Sequence, residues 1–110
     1  MTYAVHITRT AENDLSSAVD YLEHALLNPR AAQDLLDEAE EKISALARFP
    51  EKYPAVDEPV LKAWGVRLIA VKNYLVFCIV PEPEKRVYIV RFLFGRRDWA
   101  TILRRGFSLA

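Results

Sequence analysis

The sequence predicts an α+β domain with the element order β-α-α-β-β-β, in which a helical hairpin packs on one face of an antiparallel sheet. Apolar residues recur at spacings of three and four between Ala11 and Leu46, as they do in amphipathic helices. Between Trp64 and Phe94 the chain consists instead of short apolar runs joined by tight turns, a pattern typical of a strand meander. A length of 110 residues and a hydrophobic content of 52% fit a single domain, residues 1–110.

The first half of the chain is predicted to form one strand and two helices. The strand is Tyr3–Thr8, whose residues alternate, and the first helix is Ala11–Leu27. A hydroxyl group from Thr8 or Thr10 can cap that helix. The dipeptide "NP" then caps and starts a second helix, Pro29–Arg48, where proline costs no hydrogen bond. Because the break between them is short, the two helices are predicted to lie antiparallel.

The second half is predicted to form the meander and a short C-terminal helix or tail. A proline-rich surface loop, Pro50–Pro59, comes first. Lys72-Asn73 has the length of a two-residue hairpin turn, which would bring Arg67 opposite Cys78 on the next strand. One face of the sheet is the only large surface on which the helices can bury their apolar stripes. The predicted strands are Trp64–Val71, Tyr74–Val80 and Arg86–Phe94.

Composition argues against several classes of protein. No apolar stretch reaches the ~20 residues that span a bilayer, and residues 1–20 lack the pattern of a signal peptide, so we expect a cytoplasmic protein with no membrane partner. The only cysteine, Cys78, lies in an apolar run and is expected to be buried. The two histidines lie far from other candidate ligands, so no metal site is predicted. No glycine-rich phosphate loop occurs, and no cofactor is predicted.

The zero net charge conceals an uneven distribution along the chain. Residues 1–60 carry 12 acidic and 5 basic side chains, whereas residues 61–110 carry 3 acidic and 10 basic ones. Two interpretations fit this division. Either the halves form separate faces with separate partners, or the acidic helices are solvated beside a basic sheet.

Arginines mark the candidate functional surface. Arg67 and Arg91 interrupt apolar strands, and a pair, Arg96 and Arg97, follows the last strand in a turn. Burying a lone charge costs several kcal/mol, so each guanidinium must meet water, a carboxylate or a phosphate. The planar guanidinium suits recognition of phosphates and carboxylates. The alternative is internal pairing, of Arg91 with a helix carboxylate and of the turn arginines with Asp98.

Five segments carry a resemblance to a known family. In chain order they are "ITRTAENDL", "NPRAAQDLL", "ISALARFPEKYP", "GVRLIAVKNYLVFCIV" and "VRFLFGRRDW", and the region of similarity runs from Tyr3 to Leu103. Their order and spacing resemble the RelE/ParE superfamily of toxins from bacterial type II toxin–antitoxin systems. The resemblance implies the fold already inferred. It also implies a cognate antitoxin whose C-terminal segment wraps the toxin, and we expect that segment to bring acidic groups to the basic half.

The resemblance implies one of two activities. ParE-like members inhibit DNA gyrase, and RelE-like members cleave mRNA in the ribosomal A site. Cleavage needs a proton acceptor, a proton donor and cations on the phosphate, and arginine supplies only the cations at neutral pH. The nuclease pattern carries over incompletely. Arg67 matches a basic position of the second strand, but Leu75 stands where an arginine is usual, and no Tyr or His follows Tyr88.

We therefore expect a gyrase-inhibiting toxin that a cognate antitoxin neutralises. The alternatives are a ribosome-dependent, metal-independent mRNA endoribonuclease and a detoxified module that only binds antitoxin. Trp99 is expected to pack over the sheet edge rather than to stack on a base. The candidate catalytic residues are Arg67, Tyr74, Arg96 and Arg97. The candidates for contact with target or antitoxin are Arg67, Arg91, Arg96, Arg97 and Trp99.

Overall fold

A computed structural model describes residues 2–110 of the protein and, within them, a sheet with the strand order β1-β4-β3-β2. The predicted α+β class and the predicted order of the main elements are confirmed, including a short C-terminal helix, and one further short helix precedes β2. In chain order the elements are β1 (Ala4–Ile7), α1 (Arg9–Asp20) with a π-helical continuation (Tyr21–Ala25), α2 (Pro29–Ala45), α3 (Pro59–Ala63), β2 (Arg67–Val71), β3 (Tyr74–Ile79), β4 (Arg86–Phe94) and α4 (Trp99–Arg104).

The sheet is antiparallel only from β2 to β4. Val71 pairs with Tyr74 across the predicted two-residue turn, and Arg67 lies opposite Cys78 as expected. The predicted antiparallel meander is confirmed, and β1 adds a parallel edge strand to it, running alongside β4 with Ala4 opposite Arg86. Tight turns force β2, β3 and β4 to alternate in direction. A helical hairpin follows β1 instead, so no turn dictates the direction of that strand.

Capping residues explain where α1 begins. Of the two proposed caps, Thr8 acts: its hydroxyl oxygen accepts the N–H of Ala11 at 3.3 Å and its hydroxyl hydrogen is donated to the carbonyl of Ile89 at 2.8 Å. The helix therefore starts two residues before the predicted Ala11. It gives way to the π-helical turn before Leu27, which adopts φ +49°. This left-handed conformation ends the helix earlier than the periodicity indicated.

Other predicted boundaries move inward as well: β1 is Ala4–Ile7 rather than Tyr3–Thr8, and β3 ends at Ile79 rather than Val80. The second helix ends at Ala45 rather than Arg48. Residues 64–66 do not belong to β2, because α3 forms just before them. Glu58 caps α3 by accepting the N–H of Leu61 at 2.8 Å, and Gly65, with φ +79°, follows its end. The predicted proline-rich loop thus ends in a helical turn.

Both faces of the sheet are covered. On one face, α1 and α2 pack over Ile69, Val76 and Ile89, as predicted for the helical hairpin. On the opposite face, Leu61 of α3 and Leu103 of α4 are fully buried in a second apolar cluster, which also contains Phe77, Val90 and Leu93. That face is a second core rather than an open surface. Among the described residues, no helix is both long and apolar enough to span a membrane.

Candidate functional site

Arg91, one of the predicted contact residues, is engaged inside the fold. Its Nε lies 2.7 Å from Oδ2 of Asp14 on α1, and its Nη2 lies 3.1 Å from Oδ1. Oδ2 also accepts the backbone N–H of Phe92 at 3.0 Å. The side chains are 20% and 16% exposed, so the pair is mostly shielded from water. Of the two interpretations left open for Arg91, the geometry is that of the internal pair with a helix carboxylate.

A β-bulge gives Arg91 this orientation. Phe77 of β3 pairs with Arg91, but the next residue, Cys78, pairs with Ile89, so Val90 is an extra residue in β4. A bulge interrupts the alternation of side chains between the two faces. Arg91 and Phe92 therefore both face the helical hairpin, Arg91 toward Asp14 of α1 and Phe92 in the core beneath the hairpin, whereas Val90 lies in the second core.

Arg67 is also bound within the protein, on the edge strand β2. Its Nη1 donates to the carbonyl of Tyr53 at 2.7 Å, and its Nη2 lies 3.1 Å from Oε2 of Glu51. These partners belong to the loop that connects α2 to α3. Arg67 thus ties that loop to β2 and points away from the turn that follows β4.

Arg96 and Arg97 are the two candidate arginines that remain open. Both are exposed, and within residues 2–110 neither guanidinium has a hydrogen bond or ion pair. They follow Gly95, whose N–H donates to the carbonyl of Asn73 at 2.9 Å. A Cβ atom at Gly95 would lie 3.1 Å from that oxygen, so glycine permits the close approach. We call Gly95, Arg96 and Arg97 the strand-end turn; it lies beside the Lys72-Asn73 turn.

Asp98 does not neutralise these arginines. Its carboxylate caps α4, accepting the hydroxyl of Thr101 at 2.7 Å and the N–H of the same residue at 3.4 Å. These hydrogen bonds, with smaller contributions from Arg104 and Arg105, lower the pKa of Asp98 below its ordinary value. The carboxylate that the sequence offered as a partner is therefore used by the helix.

Tyr74 is part of an aromatic cluster on the hairpin side of the sheet. Its ring stacks on that of Phe92, with 5.3 Å between the ring centroids, and meets that of Phe94 edge-on, with 5.5 Å between the centroids. Burial, and then the neighbouring Tyr21, raise the pKa of Tyr74 above its ordinary value. A phenol in this setting holds its proton at neutral pH, which does not suit a general base.

Trp99 packs on the sheet, as expected, but against its middle. Its ring lies 5.3 Å from that of Phe77 on β3, an inner strand, with an interplanar angle of 36°. The side chain is half-buried in the second core. The expectation of a position over the sheet edge is wrong, because α4 folds back across this face.

A groove beside β1 was not predicted from the sequence. We call it the helix groove; it has a volume of about 480 Å³ and lies between the outer edge of β1 and α2. Leu15 and Leu36 belong both to it and to a neighbouring hollow of about 350 Å³ that carries Glu12, Asp20 and Glu23. Leu36 belongs to the helical stripe that periodicity assigned to the core. The groove's apolar lining is Val5, Ile7, Leu15, Leu36, Ala39 and Ile43, and its polar lining is Gln33, Asp37, Glu40 and Ser44.

Comparison with known families gives the identity of the fold. The family model described as "ParE toxin of type II toxin-antitoxin system, parDE" matches residues 5–99. The chain belongs to the ParE toxin family. The RelE/ParE resemblance noted in the sequence is thereby confirmed. A search of the curated proteins returned no match.

Two solved structures share the fold of this ParE-family toxin. One is the "Chromosomal ParDE TA system from P. aeruginosa", with a TM-score of 0.66 and 20% identity over 84% of this chain and 96% of that one. The other is the toxin–antitoxin complex RelBE2 from Mycobacterium tuberculosis, with a TM-score of 0.56 and 20% identity over 86% of this chain and 99% of that one. At this level of identity the likeness concerns the fold alone.

The candidate residues of the ParE-family toxin thus fall into separate places. Arg67 on β2 and Arg91 on β4 are bound inside the fold by different partners, whereas Arg96 and Arg97 are open at the end of the sheet. Residues 2–110 contain no cluster of His, Cys, Asp and Glu that could hold a metal ion. The arrangement offers two guanidiniums for binding an anion. Among residues 2–110, neither guanidinium contacts a side chain that could act as a general base.

Proposed function

We propose that this toxin inhibits DNA gyrase by binding and performs no bond-breaking chemistry of its own, and that a cognate antitoxin neutralises it. The dispersal of the four candidate catalytic residues carries this proposal. Arg67 is bound to the loop after α2, and Tyr74 is packed under the helical hairpin with a raised pKa. Only Arg96 and Arg97 are available to a ligand. Cations without a proton acceptor can hold a phosphate but cannot activate a 2′-hydroxyl.

The covered second face of the sheet supports the same choice. Leu61, Leu103 and Trp99 fill that face, so it offers no open sheet surface on which an RNA strand could lie. The runner-up, a ribosome-dependent mRNA nuclease, is favoured by the two free arginines and by the structural likeness to RelBE2. It would need a proton acceptor outside the candidate set.

Two measurements separate these activities. The first is supercoiling of relaxed plasmid by purified gyrase with increasing toxin. The second is the mapping of mRNA 5′ ends after induction of the toxin in growing cells. Inhibited supercoiling with intact mRNA supports the proposal. Codon-positioned cuts that disappear in Arg97→Ala, with gyrase unaffected, would replace it with the nuclease. A folded protein inactive in both assays would point to a detoxified module.

The helix groove suits the antitoxin. Its floor is apolar, the outer edge of β1 is open for pairing with an added strand, and its rim carries Asp37 and Glu40. A segment that folds on binding must bury apolar anchors to offset its ordering. The acidic rim favours anchors flanked by basic side chains. This differs from our expectation of an acidic segment on the basic half, because the open apolar surface lies on the acidic half.

A growth assay tests this assignment. Leu36→Glu adds a carboxylate to the floor of the groove, so we expect the toxin to slow growth as before while co-expressed antitoxin no longer restores it. Val60→Glu is the matched control, since Val60 is an exposed apolar residue on α3, outside the groove. Rescue of Leu36→Glu as complete as that of the control would move the antitoxin site elsewhere.

A further inference from the structure

We propose that the strand-end patch, which comprises Tyr21, Lys72, Phe94, Arg96 and Arg97, binds single-stranded DNA. This inference rests on the proposed function in one respect. If the toxin acts on gyrase, we expect the patch to contact the DNA bound by gyrase and not the gyrase protein itself. The patch joins the unpaired guanidiniums of Arg96 and Arg97, with Lys72 beside them, to exposed aromatic rings at one end of the sheet.

The charge comes from two adjacent turns. Arg96 and Arg97 are exposed and have no partner among residues 2–110. Lys72 lies on the neighbouring turn, which is tied to the strand-end turn through Gly95. Its amine forms a salt bridge with Glu38 at 3.5 Å, but the side chain is 48% exposed and can also face a ligand. Phosphates spaced along a strand need cations spaced along a surface. A guanidinium can bind a phosphate through two parallel hydrogen bonds.

The aromatic rings distinguish a single strand from other anions. Phe94 is 38% exposed and Tyr21 is 53% exposed. Tyr74 links the two rings, because it meets Phe94 edge-on and lies close to Tyr21. Tyr21 is near enough to contribute to the raised pKa of Tyr74. Rings beside cations are the arrangement with which proteins hold unpaired bases, because each base can stack on a ring while its phosphate meets a cation. A duplex keeps its base faces stacked internally and has no use for such rings.

The test is fluorescence anisotropy with a labelled single-stranded 12-nucleotide DNA and the purified full-length toxin, over a range of salt concentrations. We expect the double variant Arg96→Ala/Arg97→Ala to bind at least about tenfold more weakly. Its log–log salt dependence should be shallower by about 1.4, since each phosphate contact on a single strand contributes about 0.7. Phe94→Leu should also weaken binding about tenfold while leaving the salt dependence unchanged, because it removes stacking and no charge.

Arg86→Ala is the matched control. Arg86 is exposed and begins β4, eight residues before Phe94, so it lies about 26 Å away at the other end of the strand. Its substitution should leave both affinity and salt dependence unchanged. Circular dichroism and thermal unfolding establish that every variant is folded, and the gyrase assay is run on the same samples.

Several results would overturn the inference. These are an absence of DNA binding by the unaltered toxin at low salt, an equal loss of affinity in Arg86→Ala, and equal affinity for duplex DNA. RNA of the same sequence binding as tightly would remove the assignment to DNA. If the double variant loses gyrase inhibition although the unaltered toxin binds no DNA, the arginines contact gyrase itself. If the toxin binds DNA as described but leaves gyrase active, the inference stands and the proposed function fails.

Discussion

Asp14 of α1 and Arg91 of β4 form a two-point ion pair, although 77 positions separate them in the chain. The carboxylate accepts two guanidinium N–H groups and also the backbone N–H of Phe92. This arrangement satisfies an arginine that the β-bulge turns toward the helices. It also ties the first helix to the strand beside the turn that carries the free arginines.

Removing one member of this pair should destabilise the fold strongly. Asp14→Ala leaves a partly buried guanidinium and the Phe92 N–H without acceptors, so we expect the free energy of unfolding to fall by about 3 kcal/mol. Urea unfolding measures the change, and a double-mutant cycle with Arg91→Ala isolates the coupling. Glu41→Ala, at an exposed position on α2, should change stability by less than about 0.5 kcal/mol. If Asp14→Ala lowered the free energy of unfolding as little as Glu41→Ala does, the Asp14–Arg91 pair would not be stabilising.

Arg67 should matter for stability and not for toxicity. Arg67→Lys keeps the charge but cannot reach the Tyr53 carbonyl and the Glu51 carboxylate together. We expect a loss of about 1 kcal/mol, because the Glu51 side chain is 56% exposed and the pair is screened by water. Gyrase inhibition per folded molecule should be unchanged. If a fully folded Arg67→Lys protein lost its inhibition, Arg67 would belong to the target surface.

The thiol of Cys78 should be inert in the native protein. Burial raises its pKa to about 12, and its side chain is enclosed between the sheet and the helical hairpin. We expect no reaction with a thiol-specific reagent at about pH 8, followed by complete reaction when denaturant is added. The denatured sample is the control for reagent quality. Rapid reaction under native conditions would mean that the hairpin opens readily from the sheet.

Glu38 should make the stability of the fold depend on pH in the acidic range. Its carboxylate accepts the backbone N–H of Lys72 at 2.9 Å and lies 3.3 Å from the amine of Lys42, and these contacts lower its pKa below the ordinary value of 4.5. A lowered folded-state pKa contributes stability above pH 4.5, which is lost as the pH falls through the folded value.

Unfolding at about pH 6 and about pH 3 tests this contribution. We expect Glu38→Gln to lose less stability between the two conditions than the unaltered protein does, because the amide does not titrate. Glu41→Gln, which removes an exposed carboxylate from the same helix, should behave like the unaltered protein. Identical acid sensitivity in both variants would contradict the role given to Glu38.

The main elements could be predicted because their causes are local. The strand Arg86–Phe94 has the predicted bounds, and the two-residue turn at Lys72-Asn73 sets the predicted register between β2 and β3. Thr8 is one of two possible caps in the sequence; in the structure its hydroxyl accepts the N–H of Ala11 and is held by the carbonyl of Ile89 on β4. The short α3 was missed because five residues are too few to show a helical period.

The candidate site could be predicted only as a set of residue types. Arginines in apolar strands were evident in the sequence, together with the two ways of satisfying them. Whether Arg91 pairs internally or faces an external ligand depends on Asp14, and the sequence does not reveal that these two residues are in contact. The helix groove was missed for a similar reason. The sequence pattern of an apolar stripe on a helix is identical whether another element packs on that stripe or leaves it open to solvent.

The sequence by itself determined the helical hairpin, the three-strand meander, the cationic turn after β4 and the resemblance that the ParE family match confirmed. These features arise from neighbouring residues: periodicity, caps and turn lengths. The tertiary structure alone decided the parallel β1, the covered second face, and which arginines are occupied. An ion pair or a buried face needs partners that are distant in the chain. The availability of Arg96 and Arg97 is therefore a property of the folded surface and not of the sequence around them.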